Sequence, residues 1–331
     1  MLDRLAAFLD SHSRILLTTH ENPDGDGVGA SVALAAHLKA EGKSVRIVVT
    51  PHLPEYLSFL DPEGWIEGFD PAGAHADLAQ WPEAWLLIDA SEPHRMGPLF
   101  PVFQGTPAVR ACLDHHLKDV PQGFDLEFTD PTASASTELV YDLVRPRVGG
   151  DLPPVMAQAL YAGLVSDTGN FRHSNSTPKV HHAAADLIAQ GVQPARVFNA
   201  LYQTATPAKL KLFGRAMGGL QLRDEGRFAY VAVSQADLLA CGAKADDLDD
   251  LVEEPRKLLG VEVAALFSET PDGRAKVSLR SRERVDVNAV CRRFGGGGHR
   301  LASGAKVAMP LATFLAEVEA AVLSQMAQDL V

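Results

Sequence analysis

The sequence predicts an α/β protein in two domains: a larger N-terminal, doubly wound, mainly parallel sheet and a smaller C-terminal α/β unit. Three observations carry this expectation. Short apolar runs alternate with helix-like segments through the first half, the pattern of a parallel sheet covered by helices on both faces. The first run leads into a glycine-rich turn and a helix, "RILLTTHENPDGDGVGASVALAAHL" at 14–38, a layout that usually cradles phosphate. After about residue 190 the texture changes to a polar helical stretch followed by further strand-like runs.

Taken in order, the apolar runs predict strands at 14–19, 44–49, 84–88 and 109–113. An alanine-rich amphipathic helix is expected between the first two, from near Val28 to 41. Helices resume at 134–145, 155–165 and 178–190, the last following Pro178 and closed by Gly191. A helical, polar segment at 195–218 precedes strands at 227–234, 261–269, 275–281 and 304–309, and a helix at 311–326 closes the pattern. The domains are placed at 1–190 and 216–331, with 191–215 as a helical linker.

Composition narrows the function classes. The 331 residues suffice for two domains, and 46% hydrophobic content supplies their cores. A net charge of −12 argues against a protein that coats long nucleic acid through a broad basic face. The charge is uneven, since residues 269–306 hold nine Lys/Arg against four Asp/Glu. That local surplus suits a small anionic ligand and not a long duplex. Three cysteines, Cys112, Cys241 and Cys291, form no CxxC pair, which points to a reducing cytoplasm. The start of the chain lacks the basic and apolar segments of a signal peptide, and its apolar runs fall short of the roughly 20 residues of a membrane span.

The first turn is odd for a phosphate cradle, because it carries His20, Asp24 and Asp26. In a parallel sheet, ligand-binding residues sit just past the carboxyl ends of the strands. The first strand ends at His20, followed by Asp24 and Asp26. The third ends at Asp89, the fourth at Asp114-His115-His116, and the apolar run "ALYAGLVS" ends at Asp167. Such acids would raise one another's pKa unless cations intervened, and carboxylate with imidazole is a natural divalent-metal set. The number of donors suits two ions, the standard apparatus for attacking phosphorus. Mixed oxygen and nitrogen ligation with several Asp favours Mn²⁺ over Zn²⁺, with Mg²⁺ or Co²⁺ as alternatives. The simpler reading is that Asp24 and Asp26 only cap the helix that follows. His173, His181 and His182 lack this context and read as surface features.

These residues have a family likeness. "HENPDGD", "LLIDAS", "LDHH" and "VSDTGNFR" resemble, in order, the four motifs of the DHH phosphoesterase superfamily. "GGGGHRLASG" resembles the signature of the DHH-associated C-terminal domain. The resemblance runs from about residue 14 to 325, and motif wording is closest to the nanoRNase and 3′-phosphoadenosine-5′-phosphate (pAp) phosphatase group. It implies one metal on His20, Asp24 and Asp89 and a second on Asp26, Asp89, His115 and Asp167. Asp114 would orient a histidine, and His116 would serve the departing oxygen. It also implies an active-site cleft between the domains.

Four consecutive glycines before His299 let backbone N–H groups approach an anion. In the family this domain grips the substrate's terminal phosphate and sugar, which the resemblance carries to Ser278, Arg280, Gly297, Gly298, His299 and Ser303. Arg282, Arg284, Arg292 and Arg293 read as solvated. The implied substrates are RNAs of two to five nucleotides and pAp, with no long duplex and no membrane. Cyclic di-AMP or pApA is the alternative; a RecJ-type exonuclease and a non-catalytic nucleotide sensor are weaker. Family members often pair into homodimers, and no stretch of this sequence marks an interface.

Overall fold

The computed structural model describes residues 1–116 and 123–330. The chain divides into two compact units, Met1–Thr204 and Ala205–Val331, and the division falls inside the stretch expected as a linker. Among the described residues, no helix is long and apolar enough to cross a membrane.

Among the described residues the first unit is built on six strands: β1 (Arg14–Thr18), β2 (Ser44–Val49), β3 (Ile66–Gly68), β4 (Ala84–Ile88), β5 (Val109–Asp114) and β6 (Leu126–Thr129). Their order is β3-β2-β1-β4-β5-β6, and every pairing is parallel. The order reverses between β1 and β4, which places a topological switch point where their carboxyl ends lie side by side. Edge strands β3 and β6 escaped the sequence reading because they are short and only half-buried, so neither shows as a continuous apolar run.

Among the described residues seven helices accompany this sheet: α1 (Leu2–Asp10), α2 (Gly25–Ala40), α3 (Phe100–Gly105), α4 (Ser136–Val144), α5 (Pro154–Asp167), α6 (Pro178–Ala189) and α7 (Pro194–Tyr202). The period-two alternation of the strands splits the core. Ile15, Leu17, Ile47, Leu86 and Leu113 pack with the residues of α1, α2, α4 and α5. Leu16, Trp85, Leu87 and Cys112 face the other way, against Leu78, Met96, Leu99 and Phe103. The second face is therefore covered by short 3₁₀ turns and α3 and not by full-length helices.

In the second unit, α8 (Pro207–Gly218) leads into β7 (Gln221–Arg223), β8 (Phe228–Val233), α9 (Gln235–Cys241) and α10 (Glu253–Arg256). After these come β9 (Val263–Glu269), β10 (Ala275–Ser281), α11 (Val287–Arg292), β11 (Gly297–His299), β12 (Ala302–Val307) and α12 (Leu311–Asp329). The sheet order is β11-β12-β10-β9-β8-β7, with only β8 and β9 parallel. One face presents Phe228, Val263, Phe267, Val277 and Leu279 to Val290 of α11 and to Phe314 and Val318 of α12. The opposite face is covered over β8 and β9, where Val231, Ala264 and Leu266 meet Leu212 of α8 and Leu238 of α9.

Helix α2 departs from its expected amphipathic form. It begins at Gly25, three residues early, because Asp24 caps it: one carboxylate oxygen accepts the N–H groups of Asp26 and Gly27 at 3.0 Å each. From Gly25 to Leu38 it is buried on every side, between the sheet and α5. Small residues permit this closeness. A Cβ on Gly29 would lie 2.5 Å from the carbonyl oxygen of Ala159, a backbone atom that cannot swing aside. Alanine normally favours a helix over glycine by about 1 kcal/mol, whereas overpacking costs roughly 1–3 kcal/mol. Gly29→Ala is therefore expected to lower unfolding free energy by up to about 2 kcal/mol in urea titration. Gly105→Ala, where nothing lies within 4 Å, should change it little.

Candidate metal centre

The sheet delivers its acids to one rim. His20 follows β1, Asp89 follows β4, and Asp114-His115-His116 close β5, while Asp26 rides on the first turn of α2 and Asp167 ends α5. Asp89 turns into the left-handed region (φ 63°) immediately after its strand, a conformation that Asp tolerates better than most residues. Its N–H donates to the carbonyl of Leu113 at 2.9 Å, which keeps the turn beside β5.

The side chains assemble into two neighbouring groups. In the first, His20 Nε2 lies 3.7 Å from Asp24 Oδ2 and 3.6 Å from Asp89 Oδ2. In the second, His115 Nε2 lies 3.6 Å from Asp167 Oδ2 and 4.0 Å from Asp26 Oδ2. Asp89 joins them, its Oδ1 being 3.6 Å from His115 Nε2 and 3.7 Å from His116 Nδ1. Each of the sets His20–Asp24–Asp89 and Asp26–His115–Asp167 offers one atom per residue within 4.8 Å of the others. A further set joins Asp89, Asp114, His115 and His116. Asp24 thus caps α2 with one oxygen and faces His20 with the other.

The remaining atoms hold these donors in place. His20 Nδ1 donates to the carbonyl of Glu21 at 3.0 Å and His115 Nδ1 to that of Ala133 at 3.3 Å, which turns both Nε2 atoms inward. His115 Nε2 is buried with no hydrogen-bond partner among the described residues, an arrangement that costs stability unless something fills it. Asp114 Oδ1 accepts the N–H groups of His115 and His116 at 2.8 and 3.1 Å, and His116 Nδ1 at 2.8 Å.

Electrostatics show the same tension. Burial and the charges of Asp89, Asp167 and Asp24 push Asp26 well above the usual carboxylate range. Burial, with repulsion from Asp89 and Asp24, takes Asp167 up to about 6 against the pull of His115. Burial disfavours charge on His20, but hydrogen bonds and charge from Asp24 and Asp89 outweigh it and raise the imidazole to about 10. The same competition raises His116, where the Asp114 bond overcomes burial. Carboxylates and imidazoles held this close, with the Nε2 atoms of both rings turned inward, fit a pair of divalent cations.

Three residues at the rim carried no sequence signal for such a role. Asn175 Nδ2 donates to Asp167 Oδ2 at 3.0 Å. Ser136 Oγ donates to Asp89 Oδ1 at 3.1 Å, and Thr137 donates to Asp26. His173, His181 and His182 are exposed and stay out of the cluster, although the His181 ring stacks on Phe171.

In the second unit the glycine run does not form an open loop. It makes the edge strand β11, in register Gly297↔Gly304, Gly298↔Ser303 and His299↔Ala302, while β10 pairs Ser278↔Gly304 and Arg280↔Ala302. Cross-strand partners share a face, so Ser278, Arg280, Gly297 and His299 lie together on the half of the sheet beyond α8 and α9. Arg280 Nε pairs with Glu253 at 3.3 Å. Gly298 and Ser303 belong to the opposite face, where Ser303 is buried and its hydroxyl meets Asn288 at 3.1 Å. A Cβ on Gly298 would sit 2.6 Å from the carbonyl of Ala302, so glycine is what lets the hairpin close there.

A cation on His20 Nε2 or Asp167 must displace a proton that these groups hold near neutrality. Mn²⁺ binding should therefore release protons at pH 6–7 and tighten as pH rises from 5 to 7.5. Calorimetry in two buffers of different ionisation enthalpy measures this; equal heats in both would contradict it.

Known proteins resemble this chain over most of its length. Residues 14–164 match the DHH family N-terminal domain, and residues 227–328 match the DHHA1 domain. A curated relative from Thermus thermophilus, "Bifunctional oligoribonuclease and PAP phosphatase NrnA", is 32% identical over 295 residues, 88% of this chain and 83% of its own. One of the same description from Bacillus subtilis is 29% identical over 93% of each chain. The crystal structure of an exopolyphosphatase-related protein from Bacteroides fragilis superposes with a TM-score of 0.91, covering 98% of this chain and 95% of that one. At 22% identity this last likeness speaks for the fold alone. The chain belongs to the DHH family of phosphoesterases and carries a C-terminal DHHA1 domain.

Proposed function

We propose that the chain hydrolyses short oligoribonucleotides of two to five residues to mononucleotides and dephosphorylates pAp to AMP. The observation that carries the reading is the convergence of two His/Asp sets joined by Asp89. Its support for substrate comes from the two relatives described as oligoribonuclease and PAP phosphatase.

In this reading His20, Asp24 and Asp89 hold one cation, and Asp26, Asp89, His115 and Asp167 hold the other. Two divalent ions there, with Mn²⁺ as first choice, would activate water and neutralise charge building on the phosphoryl oxygens. Asp114 fixes the ring of His116 through Nδ1, and His116 gives a proton to the oxygen that leaves phosphorus. Glu21 and Ala133 hold the two ligand rings by their carbonyls, so little reorganisation is needed when substrate arrives. The face of Ser278, Arg280, Gly297 and His299 binds the substrate's terminal phosphate and sugar. A guanidinium suits that task because it presents paired donors to phosphate.

The assay is release of mononucleotide from a diribonucleotide, with pAp, pApA and cyclic di-AMP in parallel and Mn²⁺, Mg²⁺ or Co²⁺ supplied. Absence of hydrolysis with every metal and substrate would sink the proposal. Preference for cyclic di-AMP would redirect it. Asp89→Asn keeps a residue suited to the left-handed backbone and should fold normally while turnover falls at least about a thousandfold, given how slow uncatalysed phosphate ester hydrolysis is. Arg280→Ala should raise KM for pAp about tenfold with a smaller effect on kcat, the pattern of a lost binding contact.

A further inference from the structure

We infer that Ser136 and Thr137, the first two residues of α4, are positioning residues that set two metal-binding carboxylates against each other. The inference rests on the metal-site reading above, and it concerns residues that no motif of the sequence marks.

One dipeptide holds two acids from different parts of the fold. Asp26 Oδ2 accepts the N–H of Ser136 at 2.7 Å, and Asp26 Oδ1 accepts the N–H of Thr137 at 2.9 Å and also its hydroxyl. Ser136 Oγ donates to Asp89 Oδ1 at 3.1 Å. Asp26 belongs to the His115 set and Asp89 to the His20 set, so the distance between the sets is tied to adjacent residues of one rigid helix turn.

Helix capping does not account for these bonds. Ser or Thr at a helix start ordinarily turns its oxygen back onto the helix's own N–H groups. Here Ala135 is the N-cap, and α4 has no side-chain cap. The hydroxyls point at carboxylates from α2 and from the end of β4, and two amides of the first turn, left without partners inside the helix, also go to Asp26. Ser136, Thr137 and Asp26 are all buried, so water does not share in these bonds.

The surroundings are shaped to keep the dipeptide there. Glu138 Oε2 accepts the N–H of Ser134 at 3.2 Å and its Oε1 pairs with Lys179 Nζ at 2.8 Å, which pins the turn leading into α4. On the far side, a Cβ on Gly163 of α5 would fall 2.0 Å from Thr137 Oγ1 and 2.8 Å from its Cβ. The glycine at 163 thus makes the seat that Thr137 occupies, and through Thr137 it acts on Asp26. Fixing both oxygens of Asp26 leaves Oδ2 directed toward His115 Nε2 at 4.0 Å.

The test reads metal binding without substrate. Purified full-length protein, stripped with chelator, is titrated with Mn²⁺ by calorimetry, and folding of each metal-free variant is checked by circular dichroism and thermal melting. Thr137→Val should bind Mn²⁺ about tenfold or more weakly while Thr137→Ser, which keeps the hydroxyl, stays within about threefold of the parent. Ser136→Ala and Gly163→Ala should each weaken binding too, and they carry the test if Thr137→Val does not fold. A folded Thr137→Val with parental affinity would overturn the inference, as would a Thr137→Ser variant impaired as much as the valine. Parental protein that binds Mn²⁺ normally but hydrolyses no nucleotide would instead overturn the proposed function and leave this inference standing.

Discussion

Mutual repulsion among buried carboxylates is the constraint on which the rest of this structure depends. Asp24, Asp26, Asp89 and Asp167 face one another across two imidazoles at the edge of a low-dielectric core. Water would dissolve this conflict, but the sheet and α2 exclude it, and Asp26 and Asp89 are buried. At such distances unscreened like charges cost far more than ordinary surface pairs. Protons offset part of that cost: Asp26 is driven up, Asp167 reaches about 6, and His20 is raised to about 10 by Asp24 and Asp89. A divalent cation relieves the same conflict without protons.

Holding so many charges at fixed distances demands rigid supports, and each acid has one. Asp24 is tied to the first turn of α2, Asp26 to the first turn of α4, Asp89 to Leu113 and Ser136, and Asp167 to Asn175. These supports are useful only if the helices are close to each other and to the sheet. Glycines on α2 and α5 set that closeness: Gly27 abuts Thr19, Gly29 abuts Ala159, and Gly163 abuts Thr137. The glycines of "DGDGVGA" are needed chiefly for packing, not for wrapping an anion. In the proposed reading, the phosphate-cradle layout of this turn serves cations instead.

The second unit solves a different problem with the pleat of a sheet. Alternation sends Leu279 and Ser303 to a helix-covered side and Ser278 and Arg280 to the other. Gly298 closes the β11–β12 hairpin, where a side chain would strike backbone, and His299 stands on the exposed edge strand beside it. A strand edge of glycines offers backbone N–H groups with no side chain in the way, which suits an anion. The basic surplus of residues 269–306 is thereby given a surface on which Arg280 and His299 lie close in register.

The sequence by itself determined the architecture and the list of candidate donors. Alternating apolar runs identified β1, β2, β4 and β5 nearly residue for residue, because strands covered on both faces are mostly apolar, with single arginines such as Arg46 and Arg110 as exceptions. The acids were legible because each follows such a run, and strand ends are where a parallel sheet places its ligands. Short edge strands were invisible, since three or four half-buried residues have no period to read. The burial of α2 on every side was also invisible: small residues look amphipathic until a second helix is known to lie against them. Only the tertiary structure decided which donors meet, that Ser136 and Thr137 serve two acids and not their own helix, and that Ser303 turns away from Arg280. Those outcomes depend on contacts between residues as much as 111 positions apart, and local sequence holds no record of a neighbour that folding alone brings near.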